Sequence, residues 1–140
     1  GGHRAVTRLT LKGVPICSYI SMSAAAEAME SDRHQSISSC CLFKKLYWRD
    51  SIWCYSDQYD DFIINKLPSI SERAINEYIL KNSLILQYTL EGNFIASYST
   101  IVEAAQATGL TTNLVSKWMQ GKSTVIKPTF IFKRKEPEID

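Results

Sequence analysis

The sequence predicts an α+β fold made of two tandem modules, each a β-hairpin followed by a helix-turn-helix and a closing β-strand, with a helix joining them. Three observations predict it. A stretch near the N-terminus recurs at a constant offset of 79 residues, each copy opens with two short β-rich runs around a glycine, and each then turns helical. Thr10-Leu11-Lys12-Gly13-Val14-Pro15-Ile16-Cys17-Ser18-Tyr19 lies over Thr89-Leu90-Glu91-Gly92-Asn93-Phe94-Ile95-Ala96-Ser97-Tyr98. The register continues through Ala25-Ala26 over Ala104-Ala105 and then shifts by one. Beyond the shift, Ile37 and Ser38 fall on Val115 and Ser116, Lys44 on Lys122, and Ile52-Trp53-Cys54 on Phe130-Ile131-Phe132.

The elements follow in order. Leu9 to Lys12 with Val14 to Tyr19, and Ile85 to Leu90 with Phe94 to Tyr98, read as hairpins closed by glycine turns. Thr100-Ile101-Val102-Glu103 has capping-box spacing, in which hydroxyl and carboxylate each accept an orphan amide at a helix start. Gly109 ends that helix, Thr111 or Thr112 caps the next, and Gly121 stops it. Closing strands are expected at Ser51 to Tyr55 and Thr129 to Arg134. Between the copies, Ser71 to Leu80 has Ala74, Ile75, Tyr78 and Ile79 on one face of an amphipathic helix, and Ser56 to Asp61 reads as a solvated loop. The expected layout is a first module over 1–55, a loop and helix over 56–82, a second module over 83–135 and an acidic tail over 136–140.

Composition narrows the function classes. A chain 45% hydrophobic and 11% aromatic folds around a core. Cys17, Cys40, Cys41 and Cys54 form no C-x-x-C pair and read as reduced core residues, and His3 and His34 are too few for a histidine-based site. No metal and no other cofactor is expected. The aromatics Tyr19, Trp48, Trp53, Tyr98, Trp118, Phe130 and Phe132 read as core. Neither a membrane span nor a secretory leader is legible, so the expected compartment is cytoplasmic and no membrane partner is expected. The net charge of +2 conceals blocks: residues 1–55 carry +3, residues 56–82 carry −2, residues 83–135 carry +4, and no acidic residue occurs between Ala104 and Lys135. Such asymmetry favours a polyanionic partner.

On a helix over 112–120, Leu114, Val115, Trp118 and Met119 share one side. Asn113, Ser116, Lys117 and Gln120 share the other. Asn and Gln bond adenine edges bidentately, Lys reaches guanine or phosphate, and Ser serves either, so this face suits the major groove of duplex DNA. Thr112 at its start, with Lys122 and Lys127 beyond it, extends the candidate site. Lys133, Arg134 and Lys135 read equally as phosphate contacts and as the charges of an exposed edge strand. The first copy offers Gln35, Ser38, Ser39, Lys44 and Lys45, with Arg49 nearby. It lacks three features of the second, because Ser39 stands for Lys117, Leu42 for Gln120 and Phe43 for Gly121. Leu42 and Phe43 offer an alternative role, packing on the connecting helix or on a second protein subunit.

The run Gln87 to Ala105, with Val115-Ser116-Lys117-Trp118-Met119-Gln120-Gly121-Lys122, resembles the intron-encoded nuclease repeat, a modular DNA-binding unit attached to HNH and GIY-YIG homing endonucleases. The resemblance covers the second copy well and the first less well. It implies a helix-turn-helix placed in the major groove beside the hairpin, and it implies no catalysis by this chain. His3 and His34 cannot build a His-Asn-His centre, and no Gly-Ile-Tyr/Tyr-Ile-Gly pair occurs. The expectation is therefore a non-enzymatic, sequence-reading duplex-DNA binder without a small-molecule substrate, serving as a regulator or as the targeting subunit of a mobile element. An interaction scaffold derived from such repeats is the second reading, and the DNA-binding part of a homing endonuclease the third.

Overall fold

The structure, a computed structural model, describes residues 4–140; His3 lies outside them. It is α+β and divides into two compact units, one running up to Tyr78 together with Ile139–Asp140, the other comprising Ile79–Glu138. Each unit holds one three-stranded antiparallel sheet and one pair of short helices.

In the first unit β1 (Val6–Thr10) lies between β2 (Pro15–Tyr19) and β3 (Ser51–Tyr55). Alternation along β1 and β3 sends their side chains to opposite faces. On the inner face Val6, Trp53 and Tyr55 pack on Ala25 and Ala26 of α1 (Met22–Ala28) and on Ile37, Cys40 and Cys41 of α2 (Gln35–Cys41). On the outer face Leu9, Leu11, Ile52 and Cys54 pack on Phe62, Leu67 and Ala74. Those three residues belong to a helical run of a 3₁₀ turn (Ser56–Gln58), the single turn α3 (Tyr59–Asp61), a π-helical stretch (Phe62–Lys66) and α4 (Leu67–Asn82). Both sheet faces are thus covered, and β3 is buried along its whole length. The Ser71 hydroxyl donates to the Leu11 carbonyl, and Leu67 seats against the turn at Gly13, where an added Cβ would meet its Cδ2 at 2.8 Å.

The second unit repeats this order with β4 (Leu84–Tyr88) between β5 (Phe94–Tyr98) and β6 (Ile131–Lys135). On its inner face Ile85 and Phe132 pack on Ala104 and Ala105 of α5 (Ile101–Thr108) and on Val115 and Trp118 of α6 (Thr112–Met119). Gln87 is buried in the same layer, where its amide oxygen accepts the Tyr98 hydroxyl at 2.6 Å. The small Ala104-Ala105 pair lets α5 approach the sheet closely, as Ala25-Ala26 does for α1.

Local geometry recurs between the units at the offsets seen in the sequence. A bulge interrupts the β1/β2 ladder after Arg8 and the β4/β5 ladder after Gln87. Thr10 and Thr89 each accept, on their hydroxyls, the amide four residues on, at 3.1 and 3.0 Å. Left-handed residues fall at matched places: Gly13 (φ 90°) and Gly92 (φ 92°), Glu30 (φ 55°) and Gly109 (φ 71°), Phe43 (φ 62°) and Gly121 (φ 72°).

Several expectations need correction. The closing strands match at 79 residues, not 78, because Trp53 pairs with Arg8 as Phe132 pairs with Gln87. A one-residue slip would turn Trp53 to the opposite sheet face, so the residue lost between the helices is regained before the strand. Ser56 to Asp61 is helical rather than a solvated loop, and Asp57 is bound to Arg4 by two hydrogen bonds of 2.9 and 2.8 Å. The helix expected over 71–80 runs from Leu67 to Asn82 because its N-terminal end has a core to cover. Cys40, Cys41 and Cys54 are buried, whereas Cys17 on the edge strand β2 is exposed.

Candidate nucleic-acid interface

The interface is built on α5 and α6. Thr100 caps α5 through its hydroxyl, which accepts the Glu103 amide at 3.1 Å, and the Glu103 carboxylate reaches back to the Ser99 amide at 3.0 Å. The box thus closes one residue earlier than the usual pattern, and it occupies the acidic side chain nearest to α6 in sequence. Gly109 then ends α5 in the left-handed conformation that costs glycine nothing. Two residues later the Thr111 hydroxyl accepts the Leu114 amide at 3.2 Å and starts α6.

Val115 and Trp118 bury one side of α6, a burial worth roughly 1.5–3 kcal/mol per large apolar side chain. The Trp118 indole N–H donates to the Thr124 hydroxyl at 2.9 Å, and that hydroxyl donates to the Ile126 carbonyl. The helix is therefore fixed in rotation, with the segment after it clasped to its buried ring. On the opposite side Thr112, Asn113 and Gln120 are exposed, and Ser116 and Lys117 are half-exposed. Gln120 Nε2 donates to Ser116 Oγ at 3.1 Å. A carboxamide has two N–H donors and one carbonyl, so this bond holds the group in place and leaves one donor and the acceptor free. Gly121 turns the chain, and Lys122, with its amide on the Lys117 carbonyl at 2.9 Å, stands exposed at the C-terminal end of the ridge. Lys127 is exposed in the segment before β6. Lys117, Lys122 and Lys127 enter no ion pair among the described residues. The ridge is uncovered and carries no carboxylate.

In the first unit Gln35 is exposed, and Ser38 and Ser39 are half-exposed on α2, with Lys44 and Lys45 exposed beyond it. His34, at the cap position, makes no side-chain cap bond, and no glycine stops the helix. Lys45 Nζ bonds Ser36 Oγ at 3.3 Å, and the Phe43 ring stacks on Phe62 with centroids 6.1 Å apart. Phe43 therefore does pack on the helical run, while Leu42 beside it stays exposed. Arg49 donates to the Met29 carbonyl and lies over Trp48, 4.4 Å from the ring centre, and so braces the turn after α1. The structure thus gathers the expected residues into two sets, one in each unit. Sequence reasoning missed the Thr124 clasp, because a threonine in an irregular segment carries no periodic mark. The only available signal was that a buried tryptophan N–H needs an acceptor.

Three of the four thiols, those of Cys40, Cys41 and Cys54, lie in the apolar layers of the first unit. Burial pushes the Cys40 and Cys41 thiols up to about 12 and Cys54 up to about 11, so all three are protonated at neutral pH. Among the described residues no group of three or more His, Cys, Asp or Glu side chains is placed to share a metal ion, and no helix is long and apolar enough to cross a membrane.

Residues 84–117 match the NUMOD1 domain, a nuclease-associated modular DNA-binding domain. The match runs from β4 through most of α6 and lies within the second unit. No curated protein and no solved structure matches the chain.

Proposed function

We propose that the chain reads duplex DNA, that α5 and α6 act as a helix-turn-helix with α6 in the major groove, and that the first unit is a diverged copy of the same module. The observation that carries this reading is the exposed, carboxylate-free ridge of Asn113, Ser116, Lys117 and Gln120 over a buried Val115 and Trp118. It lies on a helix that the NUMOD1 match reaches. Asn113 and the held Gln120 carboxamide present the donor and acceptor pair that adenine N7 and N6 require, and Lys117 suits guanine O6 and N7. Thr112 at the helix start, and Lys122 and Lys127 after it, take phosphates and set the register. In the first unit Gln35, Ser38, Ser39, Lys44 and Lys45 add weaker contacts, since Leu42 stands where Gln120 would read. The role is binding rather than catalysis, as a regulator or a targeting subunit of a mobile element.

Selection on random duplexes, followed by titration of the winning site at several salt concentrations, tests the reading. Log affinity should fall by roughly 0.9 per contacted phosphate per decade of salt. Asn113→Ala and Gln120→Ala should each cost about 1–3 kcal/mol on the preferred site and far less on a scrambled one. Equal losses on both sites would reduce these residues to backbone contacts. No binding to the mixed library at low salt would end the proposal.

A further inference from the structure

The outer face of the second sheet takes no part in that interface. By register it carries Leu86 and Tyr88 of β4, Phe94 of β5 and Ile131 and Lys133 of β6, with Leu84 and Leu90 at the ends of β4. Leu90 is 56% exposed and Phe94 60%. The matching row of the first sheet, Leu9, Leu11, Ile52 and Cys54, is at most 2% exposed because Phe62, Leu67 and Ala74 cover it. The turn glycines record the same contrast. A Cβ on Gly13 would strike Leu67, whereas nothing lies within 4 Å of the equivalent point on Gly92. One further substitution distinguishes the bare face. Lys133 stands where Cys54 stands in the first sheet, its ammonium 5.5 Å from the Tyr88 ring centre, and Lys135 follows on the same strand face.

We infer that this face binds an amphipathic helix of a partner polypeptide, laid as residues 62–74 lie on the first sheet, with a leucine at Gly92 and acidic residues toward Lys133 and Lys135. The sheet scaffold is already matched to a helix in the first unit, and the two lysines make an acidic flank the complementary one. A second copy of this chain is disfavoured as occupant, since two such faces would oppose Lys133 and Lys135 to themselves. Single-stranded nucleic acid is disfavoured because the face is mainly aliphatic, and bases stack on rings. The inference does not depend on the duplex-reading function.

The test uses the full chain, ¹⁵N-labelled, and a synthetic peptide of residues 59–82, which carries the apolar residues used on the first sheet together with Asp60, Asp61, Glu72 and Glu77. The peptide should shift the amides of Leu86, Tyr88, Leu90 and Ile131 saturably. Leu90→Asp combined with Phe94→Ser should weaken the peptide by about tenfold or more and leave affinity for the selected duplex unchanged. Absence of these shifts at saturating peptide would overturn the inference. So would shifts produced by oligo(dT) instead of peptide, or shifts that appear only on concentrating the protein alone.

Discussion

The two units use one backbone plan for different ends. The first has an apolar layer on both sides of its sheet, holds all four cysteines, and ends its α2 on Phe43, which is turned onto Phe62. The second has a single apolar layer, no cysteine, a glycine after each helix and an open polar ridge on α6. At two matched positions the first unit places an apolar residue, exposed Leu42 and stacked Phe43, where the second places a polar or helix-stopping one. Leu42 stands for Gln120 and Phe43 for Gly121. The hairpin, the alanine pair and the bulge, which hold the helices against the sheet, are kept in both. What differs is what the scaffold presents, which suggests that sheet and helix pair form a carrier on which the exposed residues vary.

If the units carry separate cores, breaking one should spare the other. Trp118→Ala should destabilise the second unit by about 3–5 kcal/mol, and Ile37→Ala the first by about 2–5 kcal/mol. Residue-resolved hydrogen exchange should show lost protection only in the unit that bears the change, and only Trp118→Ala should abolish duplex binding. Joint loss of protection in both units would refute the comparison at its root.

The thiols give the next largest contrast, because only the first unit contains them. The folded pKa values of the three buried ones, Cys40, Cys41 and Cys54, are raised by burial, from the ordinary 9.0 to about 11 and 12. A buried group with a raised pKa contributes its full stability below the unfolded value, and that contribution is lost as pH climbs through the folded one. The first unit should therefore weaken between pH 9 and about 12 more steeply than the second. Thermal melts that follow Trp48 and Trp53 in the background Trp118→Phe, and Trp118 in the double background Trp48→Phe with Trp53→Phe, would measure both slopes. Equal slopes would mean that the thiols are hydrated.

The sequence carried the hairpins, the caps of the second helix pair and the split faces of α6, since each rests on local chemistry: a glycine turn, a hydroxyl three residues before an amide, a 3.6-residue period. It could not carry the cover of the first sheet. Phe62 and Leu67 lie in a stretch whose aspartates resemble a loop, and only the bare outer row of Leu9, Leu11, Ile52 and Cys54 explains why that stretch is helical. The strand register failed for the same reason, because matching residue types placed Trp53 on Ile131 while the inner layer required Phe132. Among the candidate contacts, residues on α6 were legible from periodicity. Lys127 is marked in the sequence by its charge alone, since its segment has no periodic pattern.

The left-handed positions sharpen the comparison further. Gly109 and Glu30 share one place in the fold, and nothing crowds Gly109. Gly109→Ala should cost the second unit about 1–2 kcal/mol from backbone conformation alone. Glu30→Gly should shift the first unit the opposite way by up to about 1 kcal/mol, less the added flexibility of its unfolded chain. Chemical denaturation of the two variants would show the opposite signs, and a loss in both would mean that Glu30 has stabilising contacts through its side chain.

The smallest effect concerns the ion pair that closes the first unit. Arg4 holds the Asp57 carboxyl below its ordinary value of 3.8, chiefly through the paired hydrogen bonds and then by charge attraction. A lowered carboxyl pKa adds stability above the ordinary value, and that stability disappears as pH falls through the folded one. Both side chains are open to water, so the contribution is screened and salt-sensitive. The first unit should lose slightly more stability than Asp57→Asn between pH 5 and pH 2.5 at low salt, and the difference should vanish at about 1 M salt, where charges are screened within a few ångströms. A difference that survived high salt would assign Asp57 a structural role beyond its charge, as the residue that starts the helical cover of the first sheet.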